Sequence, residues 1–276
     1  MQIQPLTPHM GAQVSGIDLR NLSQPQVSEL RSLFLEHLVL VFRDQDLTRE
    51  EHKAFGRLFG ELHIHPSKRD LDTQSDPEIF AIKTTLKSQW TNGETWHSDV
   101  SCDPVPPLGS MLYVREAPGD SGGDTLFANM YLAFESLSES MQAWLRTLDA
   151  VHDGVKDLAS YNIKLQPGQS YPCAQHPIVT RHPDTGKEVL FVNRSFTERI
   201  VGMNKAESDA VLEMLWRHGE SNPRLHCRVK WEPGTLVFWD NRCTWHHAVW
   251  DYFPNTRYAE RVTIQATAAP AGALVP

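Results

Sequence analysis

The sequence has few cysteines and no pattern among them: Cys102, Cys173, Cys227 and Cys243 are scattered through 276 residues without a C-x-x-C pair. That spacing excludes a zinc ribbon and a disulfide framework, and fits thiols kept reduced in a cytosol. Runs of Lys or Arg are absent, and the formal net charge is −8. A basic footprint for nucleic acid or an anionic membrane is therefore missing, so any anionic ligand must be held by a few local cations. Long apolar stretches are lacking too. "LFLEHLVLVF" is too short, and too interrupted by Glu36 and His37, to span a bilayer, while "MQIQPLTPHMGAQ" has neither the basic nor the apolar region of a secretory leader. No internal repeat, low-complexity tract or linker divides the chain, and only the Ala/Pro-rich stretch from about 268 looks loose. The expectation is one soluble, cytoplasmic domain over residues 1–276, a homo-oligomer (dimer or tetramer) with no nucleic-acid or membrane partner.

What is present is a core-building composition, 40% apolar and 22% charged, and a change of rhythm along the chain. Ser23 to His37 carries Leu30, Leu33, Phe34 and His37 at helical spacing, with Ser23 as N-cap and Pro25 in the first turn. "LVLVF" then reads as a buried strand. Thr48 and Glu51 form a capping box for a second helix that Gly60 stops. From Ile79 the pattern turns to "EIFAIKTT", "GSMLYVREA" and "DTLFANM", short runs between Pro and Gly clusters, as in the strands of a sandwich or barrel. A helix is predicted from Tyr131 to about Leu148, and a hairpin turning at Asp184 to Lys187 around Gly186. A further helix is capped by Asn204 and Glu207 and ended by Gly219, with Leu212, Leu215 and Trp216 inward. "HCRVKW" and "TLVFWDNRC" read as a second hairpin, and "YAERVTIQATA" as the last strand. The pattern is mainly β with flanking helices.

"ETWHSDVSCD" places His97 and Asp99 two positions apart, and in a strand such residues point to the same face. Taken alone, H-x-D is more often a polar pair in a loop. Imidazole plus carboxylate suits a borderline divalent metal, and a second histidine would complete the two-His, one-carboxylate triad of non-haem Fe(II) sites. "WDNRCTWHHAVWDY" offers His246 and His247 beside the apolar run "TLVFW". Alternation sends them to opposite faces, so one is a ligand and the other packs. Arg257 and Arg261 follow in or near the last strand, and arginines near a metal suit bidentate recognition of a carboxylate or sulfonate. His63 and His65 offer a second pair of the cupin sort, but no matching carboxylate follows it. Trp96, Trp239, Trp245 and Trp250 read as core, and His176 and His226 as structural.

"WHSDVSCDPVPP", "GGDTLFANMYLAFESLS" and "WDNRCTWHHAVWDYFPNTRYAERVTI" together resemble the taurine dioxygenase family of Fe(II)/2-oxoglutarate-dependent dioxygenases. The similarity runs from "GAQVSGIDL" through "VFRDQDLT", "FGELHIHP" and "HPDTGKEVLFVNRSFTERI" to the final strand. It implies a double-stranded β-helix, the jelly roll of cupin-like proteins. It also implies that His97, Asp99 and His246 hold Fe(II), that Thr125 and Arg257 meet the distal carboxylate of 2-oxoglutarate, and that His65 and Arg261 contact the substrate anion. The implied reaction uses O2, converts 2-oxoglutarate to succinate and CO2, and hydroxylates the substrate. Asp99 argues for hydroxylation rather than halogenation, because a related halogenating enzyme would lack that carboxylate. The chain leaves the taurine pattern at Ser67, Lys68 and Arg69, and again at "TNGET" before the H-x-D pair. The expected substrate is therefore a small organic anion: taurine, another sulfonate or sulfate ester, or a carboxylate such as an aryloxyalkanoate. The rival readings are a metal-dependent hydrolase with the same ligands and a non-catalytic, metal-binding β-helix module.

Overall fold

The computed structural model describes residues 1–68, 76–119, 122–159, 165, 168 and 170–272. The chain opens with the hairpin of β1 (Gln2–Pro5) and β2 (Ala12–Ser15). Helix α1 (Gln24–His37) begins at Ser23, whose N–H donates to the Gln26 side chain at 2.9 Å, and leads into β3 (Val39–Phe42). Helix α2 (Arg49–Arg57) has the expected reciprocal cap, the Thr48 N–H donating to Glu51 at 2.7 Å and the Glu51 N–H to Thr48 Oγ1 at 3.2 Å. Then come β4 (Leu62–His63), β5 (Phe80–Thr84), β6 (Gly109–Glu116) and β7 (Thr125–Asn129). The helix predicted to about Leu148 is broken into α3 (Met130–Glu135) and α4 (Glu139–Leu145). Ser138 causes the break, because its hydroxyl caps the second segment by accepting from the Met141 N–H at 3.3 Å.

Strand β8 (Asp149–Asp153), the short α5 (Val155–Leu158) and β9 (Cys173–Pro177) follow. The hairpin of β10 (Val179–Arg181) and β11 (Glu188–Leu190) turns as expected, with Gly186 at φ 70°. After β12 (Thr197–Ile200) and α6 (Lys205–Glu220) come β13 (His226–Val229), β14 (Thr235–Asp240), β15 (Thr244–Ala248), β16 (Arg257–Ile264) and β17 (Ala271–Gly272). Within the stretch from about 268, Ala271 and Gly272 add to the free edge of β10; residues 273–276 lie outside the described ones. No described helix is long and apolar enough to cross a membrane.

An eight-stranded sheet in the order β1-β2-β3-β14-β6-β16-β4, with β5 also on β16, faces a three-stranded sheet, β13-β7-β15. This is the double-stranded β-helix. "HCRVKW" and "TLVFWDNRC" are therefore not a hairpin: β13 pairs with β7, whereas β14 pairs with β3 and β6 in the opposite sheet. The connection crosses from one layer to the other, as jelly rolls require. Strand alternation sorts the large sheet's residues into two cores. Val39, Val41, Leu112, Val114, Val237, Trp239 and Ala259 pack inward against Phe127, Cys227, Val229 and Trp231 of the small sheet side. Their neighbours Leu40, Phe42, Met111, Tyr113, Leu236 and Phe238 face outward and are covered by Leu30 and Phe34 of α1 and Phe55 of α2. Burial on both faces explains why "LVLVF" and "TLVFW" are unbroken apolar runs rather than alternating ones.

Gly219 does not end α6, which runs on to Glu220. It permits a close approach instead: a Cβ there would fall 2.4 Å from Cζ3 of the buried Trp245. Gly219→Ala should gain up to about 1 kcal/mol of helix propensity and lose about 1–3 kcal/mol to overpacking. A net loss of stability in urea unfolding is the expected result, and a variant as stable as the parent would show that Trp245 can move aside.

Candidate active site

Between the two sheets lies a cavity open to solvent, and it gathers the seven residues that the family resemblance implied: His65, His97, Asp99, Thr125, His246, Arg257 and Arg261. Their convergence follows from strand alternation. On β16, Arg257, Ala259 and Arg261 share the inward face, while Glu260 points the other way to Arg49 and Arg115 at 2.7 and 2.6 Å. On β7, Thr125 shares the inward face with Phe127, and on β15 His246 points in while Trp245 belongs to the core behind that sheet. Arg261 is therefore turned inward.

His97 and Asp99 do not sit in a strand, as the i, i+2 argument assumed. His97 forms a one-residue antiparallel bridge with His246, and the chain then turns through Asp99 and Val100. Val100 has φ 47°, a left-handed conformation that costs a β-branched residue about 1–3 kcal/mol. Its burial with Cys102, Leu158 and Phe196 holds it there. Asn241 fixes the turn from the other side: the Asp99 N–H donates to Asn241 Oδ1 at 2.6 Å, and Asn241 Nδ2 donates to the Asp99 carbonyl at 2.9 Å. Nothing in the sequence argument pointed to Asn241, although it stands within "WDNRC".

The donor set fits a divalent metal. Nε2 of His97 and Nε2 of His246 each lie 3.8 Å from Asp99 Oδ1, close to the roughly 3–4 Å between donors that share one ion. His97 Nδ1–H donates to the Thr95 carbonyl at 2.6 Å; because a carbonyl only accepts, Nδ1 carries the proton and Nε2 presents its lone pair. Burial, reinforced by His97, pushes the His246 pKa well down, so that ring is neutral. Burial alone would raise the Asp99 carboxyl, but Arg261, His246 and His97, with the Ser110 hydroxyl, outweigh it and hold the group below the usual carboxylate range. Among the described residues one other group has three candidate ligands, His182, Asp240 and Cys243. Its carboxylate is already taken by Arg242 at 2.7 Å and His182 at 3.0 Å, so protein donors fill it.

Two cationic positions flank the triad. Arg257 is 4% exposed, its guanidinium lies over the Trp231 ring, and its Nε has no hydrogen-bond partner among the described residues. Burial pulls its pKa down, yet a guanidinium stays charged, so the cavity holds a cation short of partners. Trp231 also donates its indole N–H to Thr125 Oγ1 at 3.0 Å, tying Thr125 and Arg257 to one ring; sequence reasoning missed it. Arg261 donates to Asp99 Oδ1 and lies over Phe80, with its Nε likewise without a partner among the described residues. His65 is buried beside the same Phe80 ring, 4.5 Å between centroids.

The remaining histidines do other work. His63 diverges from His65 and lies 3.1 Å from Asp103, so the two do not form a metal pair. His247 and His226 stack on Trp96, and His176 Nε2 donates to the Asp103 carbonyl at 3.0 Å. Asp157 of α5 also lines the cavity, and burial pushes its carboxyl pKa up. No motif marked it, because a lone acid in a four-residue helix has no signature. The side chain of Lys68 and all of Arg69 lie outside the described residues.

Known proteins resemble the chain over most of its length. The family model for the taurine catabolism dioxygenase TauD, TfdA family matches residues 2–263. An alpha-ketoglutarate-dependent sulfonate dioxygenase of Saccharomyces cerevisiae is 37% identical, over 96% of this chain and 67% of its own. An (S)-phenoxypropionate/alpha-ketoglutarate-dioxygenase of Sphingobium herbicidovorans is 31% identical, over 90% of each. The crystal structure of a taurine dioxygenase from Burkholderia xenovorans superposes with a TM-score of 0.83 at 36% identity, covering 98% of this chain and 92% of that one. The chain belongs to the taurine catabolism dioxygenase TauD, TfdA family, and its enzyme class is that of a dioxygenase.

Proposed function

We propose that the protein is an Fe(II)- and 2-oxoglutarate-dependent dioxygenase that hydroxylates a small organic anion while 2-oxoglutarate and O2 yield succinate and CO2. The observation that carries this reading is one cavity holding a His-Asp-His donor set beside two buried arginines whose Nε atoms have no partner among the described residues. Family membership supplies the reaction class. His97, Asp99 and His246 would hold Fe(II), and the metal when bound supplies the oxygen-activating chemistry that side chains lack. Arg257 and Thr125 take the distal carboxylate of 2-oxoglutarate, with Trp231 fixing the Thr125 hydroxyl and stacking under the guanidinium. Arg261 and His65 take the substrate anion. The walls, Phe80, Ile82, Leu112, Phe127, Phe196 and Trp239, exclude water and shield the reacting carbon.

The substrate is read as a monoanion, because Asp157 on the same wall disfavours a second negative charge. A sulfonate, a sulfate ester and a carboxylate all meet that condition; the relatives named above act on a sulfonate and on a phenoxypropionate. Taurine is one candidate among them. We also read the chain as one cytoplasmic domain that assembles as a dimer or tetramer, on the support of four cysteines that form no disulfide and of the exposed Leu86, Trp90 and Phe253.

Anaerobic addition of Fe(II) and 2-oxoglutarate should give a weak visible charge-transfer band, and Asp99→Ala should abolish it. Turnover of an anionic substrate without 2-oxoglutarate or O2 would favour a hydrolase and defeat the proposal. Arg257→Gln should raise the KM for 2-oxoglutarate by about 30-fold or more, the scale of a buried charge pair broken on one side. Steady-state succinate release measures it, and an unchanged KM would remove Arg257 from the cosubstrate site.

A further inference from the structure

The Asp99 carboxylate has little freedom to serve two cations at once. Its backbone is pinned on both sides by Asn241, at 2.6 and 2.9 Å, and Ser110 Oγ donates to its Oδ2 at 2.7 Å. What is left is Oδ1. That oxygen lies 3.8 Å from the Nε2 atoms of His97 and His246, and it is also the oxygen that accepts from Arg261 Nη1. Arg261 has slack by comparison. Its Nε has no partner among the described residues, and its guanidinium rests over the Phe80 ring, 4.9 Å from the centroid, on a long side chain that can swing without moving β16.

We propose that Arg261 is a switched clamp: a metal ion held by His97, Asp99 and His246 takes over the Asp99 oxygen that Arg261 grips, and the released guanidinium then grips the substrate anion. This rests on the substrate role given to Arg261 above. A divalent ion held there would compensate the carboxylate and repel the guanidinium, so the ion pair would be neither needed nor favourable. In the metal-stripped protein an incoming anion must compete with a buried carboxylate, and winning leaves Asp99 uncompensated inside a closed cavity. Metal and anion affinities are therefore linked, and the linkage is reciprocal: the factor by which metal tightens anion binding is the factor by which the anion tightens metal binding.

Calorimetry on the metal-stripped and Mn(II)-loaded protein tests this, with propane-1-sulfonate as the probe anion. The sulfonate should bind about tenfold more tightly, or better, to the Mn(II)-loaded form. Arg261→Gln should bind Mn(II) more tightly than the parent, and its Tm should fall further in the metal-stripped form than in the loaded one. Equal sulfonate affinity in the two forms of the parent overturns the switch, and that comparison needs no variant to fold. So does an Arg261→Gln protein that binds Mn(II) no better, or that loses the same Tm in both forms as a merely structural arginine would. Sulfonate binding to neither form overturns the clamp role itself, which is the reading beneath this proposal, whereas failure in the other arms overturns only the switch.

Discussion

The pair of backbone hydrogen bonds between His97 and His246 is the constraint on which the site depends. The His97 N–H donates to the His246 carbonyl at 3.0 Å, and the His246 N–H donates to the His97 carbonyl at 2.8 Å. They join a loop residue to a strand residue far along the chain, and bring the two rings to 4.0 Å between centroids. A bridge one residue long cannot steer the chain beyond it, so the turn through Asp99 needs its own supports. Asn241 holds the backbone of Asp99, the Ser98 hydroxyl donates to the Thr244 carbonyl at 2.9 Å, and packing holds Val100 in its left-handed conformation. The polar supports come from β15 and from the turn between β14 and β15, so the segment that carries His246 also anchors the segment that carries Asp99. The donor set is built twice from one piece of chain.

Around that frame the dominant energy is electrostatic. Arg257 and Arg261 are 4% and 7% exposed, a placement that is costly unless anions arrive. The site tolerates them in different ways. Arg261 leans on Asp99, whereas Arg257 lies over an indole face, a contact of about 0.5–2 kcal/mol that cannot replace a counter-ion. Polarity is thus stored in the cavity in advance, to be satisfied by ligand rather than by water, which is how a preorganised site binds carboxylates strongly in a low-dielectric setting. The small sheet and the helices behind it supply the rigidity; Trp245, adjacent to His246, is buried so tightly that only glycine fits opposite it at position 219.

Period and spacing made much of this legible before any coordinates. The capping boxes at Ser23, Thr48 and Asn204 each start a helix where expected, because a cap is a local bargain between side chain and nearby backbone. "TLVFW" and "LVLVF" were recognisable as buried strands because both faces are covered. What was not legible is non-local. "HCRVKW" and "TLVFWDNRC" look like the arms of a hairpin, and only the crossing between sheets decides otherwise. Gly219 looks like a stop signal, and only the Trp245 ring shows that it is a clearance. The helix after Tyr131 reads as continuous, since Ser138 in mid-pattern is neutral until its hydroxyl is seen to cap the next segment.

The same division runs through the cavity. Thr125, His246, Arg257 and Arg261 lie on paired strands of the two sheets, where alternation and register dictate which side chains meet in the cavity. Other cavity residues come from elements with no such rule: His65 from the segment after β4, and Asp157 from a helix of four residues. Asp157 is nevertheless held in place, because Leu158 beside it is buried against Val100 and Cys102, and Lys156 on its other side is turned away to donate to the Thr197 carbonyl at 2.8 Å. An acid fixed by the packing of the turn at Val100 sets a carboxyl group in the same cavity as Arg261. Within one low-dielectric cavity the fields of the arginine and the acid add, so the charge that the cavity favours follows from their difference and not from the arginine alone.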